Sequence, residues 1–130
     1  MSGFSDYLED KVLEHVFGGN AFTAPSSLHV ALFTSAPSDT GGGTEVSGGS
    51  YARQTATFNV SGTNPTTATN AAAVEYPTAT ADYGTVVGVG IFDASSSGNL
   101  LAYANLTASK TVSSGDVFRF DAGDIDITLA

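Results

Sequence analysis

The sequence lacks cysteine and tryptophan, and only four of its 130 residues are Lys or Arg. The absence of cysteine excludes a disulfide framework and a zinc site with cysteine ligands. Thirteen acidic residues against four basic ones give a formal charge of −9, whereas contacts to several phosphates require clustered basic side chains. We therefore expect no nucleic-acid partner, and a net negative charge that keeps the protein in solution.

Long apolar runs are also missing. No window approaches the roughly 20 apolar residues that span a bilayer. The first residues include Asp6, Glu9, Asp10 and Glu14, where a signal peptide would have a basic start followed by an apolar run. We expect no membrane partner and no export by that route.

Residues 1–19 predict a single N-terminal α-helix. Ser5 is a favourable N-cap, and Asp6 and Glu9 lie in the first turn, where they favour the helix dipole. A Gly-Gly pair at 18–19 ends the pattern. Apolar residues recur at helical spacing, at Leu8, Val12, Leu13, Val16 and Phe17. This face packs either on the chain's own sheet, the arrangement we favour, or on a neighbouring chain.

Residues 20–130 predict one β domain, because short strand-like segments alternate with clusters of Gly, Ser, Asn, Asp and Pro. The predicted strands are 27–34, 51–60, 70–76, 84–93, 99–106, 109–112, 116–121 and 124–130. Their number and spacing predict a mainly β fold, an antiparallel β-sandwich or jelly-roll-like domain preceded by the helix. Two long loops, 35–50 and 61–70, are expected between them; the first could be an arm that orders only against a neighbour.

Two of these strands carry more specific expectations. In 51–60 the alternation places Phe58 and Val60 inward and Tyr51 and Arg53 outward. The segment 84–93 has apolar residues on both faces around two glycines, which suits a central strand buried on both sides. The segment 84–93 carries no evident chemical group for catalysis.

Candidate catalytic and metal sites are weak. His15 and His29 stand beside no nucleophile motif, and the glycine run 41–43 is not followed by the lysine of a phosphate-binding loop. Asp124 and Asp126 project from one strand face, as two calcium ligands would, but alternation with core-facing isoleucines explains them equally. We predict no catalytic, cofactor or metal site, and we expect that the protein is not an enzyme.

The five tyrosines are the residues that could line a sugar site, since an aromatic ring can stack on a pyranose face. They are scattered along the chain, at Tyr7, Tyr51, Tyr76, Tyr83 and Tyr103. Packing in the core or at an interface is the simpler interpretation of such a distribution.

Several segments resemble one family of small tailed-bacteriophage virion proteins. Its most specific parts here are "GGSYARQ", "VGIFDASSSGNLL" and "SGDVFRFDAGDIDITL". Members are often labelled phage tail fibre protein, and some resemble head decoration, or cement, proteins. The resemblance covers nearly the whole chain apart from residues 61–80. It implies a structural role in the virion and no catalysis, with synthesis in the host cytoplasm.

The resemblance leaves two functional hypotheses. The favoured one is a capsid decoration protein that binds and stabilises the head lattice as an oligomer. We expect this oligomer to be a homotrimer and its partner to be the major capsid protein. The alternative is a tail fibre, tail tip or baseplate component that binds a host receptor or glycan. In either case we predict contacts through the glycine-rich segment 41–50 and through Phe4, Leu8, Val12, Phe17, Tyr51 and Arg53.

Overall fold

The computed structural model describes residues 3–129, which form one helix and eleven strands. The helix is α1 (Asp6–Val16). The strands are β1 (Gly3–Phe4), β2 (Leu28–Ser35), β3 (Thr44–Glu45), β4 (Gln54–Ala56), β5 (Phe58–Ser61), β6 (Thr66–Asn70), β7 (Val74–Glu75), β8 (Gly84–Phe92), β9 (Leu100–Val112), β10 (Arg119–Phe120) and β11 (Asp126–Leu129). All strand pairings are antiparallel, so the predicted mainly β, antiparallel fold with one helix near the N-terminus is confirmed.

Helix α1 begins where the sequence predicts and is shorter than the predicted segment. The Leu8 N–H donates to the Ser5 hydroxyl oxygen at 3.1 Å, which confirms Ser5 as the N-cap. The same hydroxyl donates to the Leu100 carbonyl, so the cap also ties the helix to β9. The helix ends beside Gly18, where a Cβ would lie 2.9 Å from the Glu14 carbonyl oxygen. Only glycine fits that turn without displacement.

The large sheet has the order β1-β9-β8-β2-β3, and β4 also pairs with β2. Strand β8 lies in its centre, with Gly90 paired to Ala31 on one side and to Tyr103 on the other. A Cβ at Gly90 would stand 3.0 Å from atoms of Phe33 and Leu100, so the glycine allows side chains to close over the sheet. The predicted central strand, buried on both faces, is confirmed.

Two smaller sheets complete the sandwich, one of β10 and β7 and one in the order β11-β6-β5. Strand β6 lies in the segment 61–70 that the sequence predicts as a loop, and that prediction is wrong. The predicted strands 99–106 and 109–112 form a single strand, β9, whose pairing with β8 shifts between Val86 and Gly88. Because of this bulge, the 13 residues of β9 can pair along the nine residues of β8.

The hydrophobic core lies between the large sheet and the smaller ones. It joins Val30, Leu32, Val86 and Ile91 of the large sheet to aromatic residues of the opposite layer, among them Tyr76, Phe118 and Phe120. Buried Asn70 closes one corner of this core, because its amide group bonds to four backbone groups of residues 72 and 121–125. Within residues 3–129 the structure has no helix with the length and hydropathy of a membrane span.

Candidate functional site

The free end of helix α1 exposes three large apolar side chains. Leu13, Val16 and Phe17 are 59%, 61% and 81% exposed, and none of residues 6–16 is buried. We call these three residues the helix tip. Apolar surface of this kind is stabilised when another surface covers it, at about 25 cal/mol for each Å² removed from water. The helix tip is therefore the strongest candidate for a contact surface.

The predicted contact residues of the N-terminal segment divide between two environments. Phe4, Leu8 and Val12 are half-buried, and α1 contacts β1 and β9 of its own chain. Phe17 lies in the exposed helix tip. Leu13 and Val16 belong to the predicted apolar face of the helix but are not among the predicted contact residues. Whether any of these residues lies in an interface stays a prediction.

Hydrogen bonds hold the helix tip in place. The Phe17 N–H donates to the Leu13 carbonyl at 2.8 Å, and the Asn20 N–H donates to the Glu14 carbonyl at 3.0 Å. The Phe22 N–H donates to Nδ1 of His15 at 3.1 Å, which returns the following chain to the helix. The Phe17 ring is thus carried on a capped helix end and not on a frayed terminus.

Three exposed carboxylates lie on the helix that carries the helix tip. Glu9, Asp10 and Glu14 are exposed on the same helix, and we call them the acidic rim. Of the four cations of the chain, Arg53 is buried by 93% of its side chain and Arg119 lies in two ion pairs. Positive charge near the helix tip comes from Lys11, whose Nζ lies 5.7 Å from the Tyr7 ring centre. The surface around the tip is therefore apolar in the middle and predominantly negative at its border.

Arg53 is the centre of a buried network, which contradicts its predicted outward orientation. Its guanidinium makes two bonds to the Glu45 carboxylate, both at 2.9 Å, and its Nη1 donates to the carbonyls of Ala94 and Ser97 at 3.0 and 2.8 Å. Its Cζ lies 3.8 Å from the centre of the Phe92 ring. Arg53 thereby joins β3 to the turn between β8 and β9. We call this arrangement the Arg53 clamp.

Tyr51 is also turned inward, so its predicted outward orientation is wrong as well. Its hydroxyl donates to Glu45 at 2.6 Å and accepts the Leu32 N–H at 3.0 Å. Val60, predicted inward, is 69% exposed. The alternation rule fails here because the chain leaves strand geometry at residues 51–53, and because a salt bridge satisfies the buried charge.

The Arg53 clamp changes two pKa values. Burial alone would raise the pKa of Glu45, but hydrogen bonds from Arg53 and Tyr51 outweigh burial and lower it. For Tyr51, burial and then the hydrogen bond to Glu45 raise the pKa well above its usual range. At neutral pH the clamp therefore holds an ionised carboxylate beside a neutral phenol. No sequence pattern pairs Glu45 with Arg53, because Glu45 lies in the predicted loop 35–50 and Arg53 lies in the predicted strand 51–60.

Four of the five tyrosines form part of the core. Tyr76, Tyr83 and Tyr103 are 2%, 5% and 8% exposed, and the Tyr51 ring stacks 6.0 Å from that of Tyr76. Core packing is thus confirmed for four of the five. Their ring faces are not available to stack on a sugar.

The acidic and glycine-rich segments show internal bonding. The Asp126 carboxylate accepts from the Thr69 hydroxyl at 2.9 Å, and that of Asp124 accepts from the Asp121 N–H at 2.9 Å. Among residues 3–129, no three His, Asp or Glu side chains stand close enough together to hold a metal ion.

A cleft of about 630 Å³ lies beside Gly41–Gly43, but the carboxylates of Asp6 and Asp39 line it and would repel phosphate.

The family model described as Podophage GP4 fiber I protein gp80 matches residues 3–128. The chain belongs to this family. Among curated proteins, none matches the chain. The resemblance to tailed-phage virion proteins labelled as tail fibre is confirmed. As a member of this family, the chain is a structural component of a phage virion and associates with other virion proteins, and the family is usually non-enzymatic.

Proposed function

We propose that the chain is a non-catalytic attachment domain of a phage fibre assembly. The domain binds another virion protein through the helix tip. The observation that carries this proposal is the exposure of Leu13, Val16 and Phe17 on a rigid helix end, in a domain whose core is closed elsewhere by two layers of sheet. The word "fiber" in the family's description favours a position in a tail or adsorption fibre.

A second candidate is a head decoration protein. The observation in its favour is the shape of the domain: its longest element within residues 3–129 is the 13-residue β9, and repeated or coiled-coil segments typical of fibre shafts do not occur there. A compact acidic domain can act as a clamp on a lattice. Several weak contacts from one rigid oligomer then add through effective concentration.

The copy number of the chain in purified virions separates the two candidates. Quantitative mass spectrometry would give the ratio of this chain to the major capsid protein. A few copies to a few tens support the fibre position, whereas a ratio near one to one supports head decoration. Complete absence of the chain from purified virions would overturn both.

Self-association as a homotrimer belongs to either candidate, because fibres and lattice clamps are both commonly symmetric oligomers. Sedimentation equilibrium of the purified chain tests it. We expect a mass three times that of the 13.1 kDa chain. A mass equal to one chain at micromolar concentration would remove the trimer from the proposal.

A further inference from the structure

We infer that the helix tip binds a virion protein other than a second copy of this chain, and that the surface receiving it is an apolar socket bordered by Lys or Arg side chains. The inference rests on the proposed function, because it takes the chain to be attached to the virion. It adds the chemistry of the partner and excludes self-packing through this surface.

The apolar part of the argument comes from Phe17. At 81% exposure it is the most exposed large hydrophobic residue among residues 3–129, and Val16 and Leu13 lie near it on the helix. Aromatic anchors that fill a pocket dominate many protein interfaces. The hydrogen bonds that cap the helix keep the Phe17 backbone fixed before binding, so little conformational entropy is lost when the ring is covered.

The choice of partner comes from charge. Covering the helix tip brings the partner's border within a few ångströms of the acidic rim, where like charges repel and basic side chains attract. A second copy of this chain offers few free basic side chains to the acidic rim. Arg53 is buried in its clamp and Arg119 is neutralised by two carboxylates, and Lys11 of a second copy would approach together with that copy's own acidic rim.

Two apolar grooves could receive the helix tip of a second copy. The first includes Ile91 and Ile127, and its one charged side chain is the carboxylate of Asp126. The second lies between β9 and the segment 118–126 and includes the apolar side chains of Leu106 and Phe118. Lys110 borders this groove, but so do the carboxylates of Asp124 and Asp126. An acidic rim facing two carboxylates and one cation meets net repulsion, so a basic partner is favoured over a copy of this chain.

Site-specific photo-crosslinking identifies what covers the helix tip. A benzoylphenylalanine would replace Phe17, and a matched control would carry it at Val60, which is 69% exposed on β5. After assembly into virions and irradiation, we expect residue 17 to link to a different virion protein, at a peptide adjacent to Lys or Arg, and position 60 not to link there. Links from residue 17 to this same chain, or no links from residue 17 in virions that contain the chain, would overturn the inference.

Binding to particles produced without the chain tests the charge. Purified chain carrying E9Q, D10N and E14Q together should bind such particles at least about tenfold more weakly than wild type at low salt, and with a smaller salt dependence. The control variant carries E75Q and D121N, which remove two exposed carboxylates from the Arg119 pairs. We expect it to bind within about twofold of wild type.

The outcomes of the binding experiment separate the two levels of the argument. If wild type binds and the rim variant binds equally well, the basic socket is wrong and the attachment function stands. If wild type itself does not bind particles that lack it, the proposed function fails and the inference fails with it. Circular dichroism and thermal unfolding confirm that both variants are folded.

Discussion

Arg53 compensates the charge of Glu45, whose side chain is 26% exposed. The Arg53 side chain is 7% exposed, and its charged guanidinium donates to the Glu45 carboxylate and to two carbonyls of the β8–β9 turn. The Phe92 ring covers its flat face. Buried charges of this kind add little as intact pairs, but removal of one partner leaves the other charge uncompensated.

Substitution of Arg53 by alanine should lower the free energy of unfolding by about 2–4 kcal/mol, because Glu45 and two backbone carbonyls lose their partner. Urea unfolding followed by circular dichroism measures this change. The matched control is Arg119→Ala, whose ion pairs are half-exposed and screened by solvent, so that its loss of stability should be clearly smaller. Equal losses for the two variants would contradict the clamp.

The Glu45 carboxylate should make stability depend on acid. Its folded pKa lies below the ordinary 4.5, so the folded state binds fewer protons than the unfolded state near that pH. The stability that the ionised Glu45 carboxylate contributes is fully present above about pH 4.5 and is lost as the pH falls through the folded pKa. Wild type should therefore lose more stability between pH 7 and pH 3 than Glu45→Gln, as measured by urea unfolding at each pH. Parallel curves for the two proteins would show that Glu45 ionisation does not stabilise the fold.

At the scale of elements, the sequence predicts well where one local rule dominates. The cap at Ser5 and the two-sided burial of β8 follow from residue types and spacing alone. The sequence predicts poorly where polar residues build a strand: β6, "TTATN", has no apolar alternation, and it is a strand because β5 and β11 pair with it on both sides. The inward positions of Tyr51 and Arg53 depend on Glu45, a partner that no local pattern reveals.

Strand β8 provides a test of close packing. Gly90→Ala should lower the free energy of unfolding by about 1–3 kcal/mol, because the new methyl group would meet the Phe33 and Leu100 side chains at 3.0 Å. Gly3→Ala is the matched control, since a Cβ there has no neighbour within 4 Å and the backbone angle is ordinary. Thermal unfolding midpoints distinguish the two. A Gly90→Ala protein as stable as wild type would mean that the sheet relaxes around the methyl group.

For the whole molecule, the sequence divides the chain into an N-terminal helix, 1–19, and a β domain, 20–130. We propose that the two unfold together, because β1 pairs with β9 and the Ser5 N–H donates to the Leu101 carbonyl at 2.8 Å. Differential scanning calorimetry should therefore show one transition whose calorimetric and van't Hoff enthalpies agree. Two resolved transitions would assign the helix and the β domain to separate units.

The pairing of β1 with β9 also has a consequence for synthesis. The hydrogen bond from Ser5 to Leu100 joins residues 95 positions apart, so the ribosome must make the second long after the first. At about 5–20 residues per second, the helix waits roughly 5–20 s for the strand that holds it. After these residues leave the ribosome, the helix tip and the half-buried face that later packs on β9 are both exposed until β9 is made. The surface that we propose for attachment in the finished particle is thus also a surface that nascent-chain chaperones can bind.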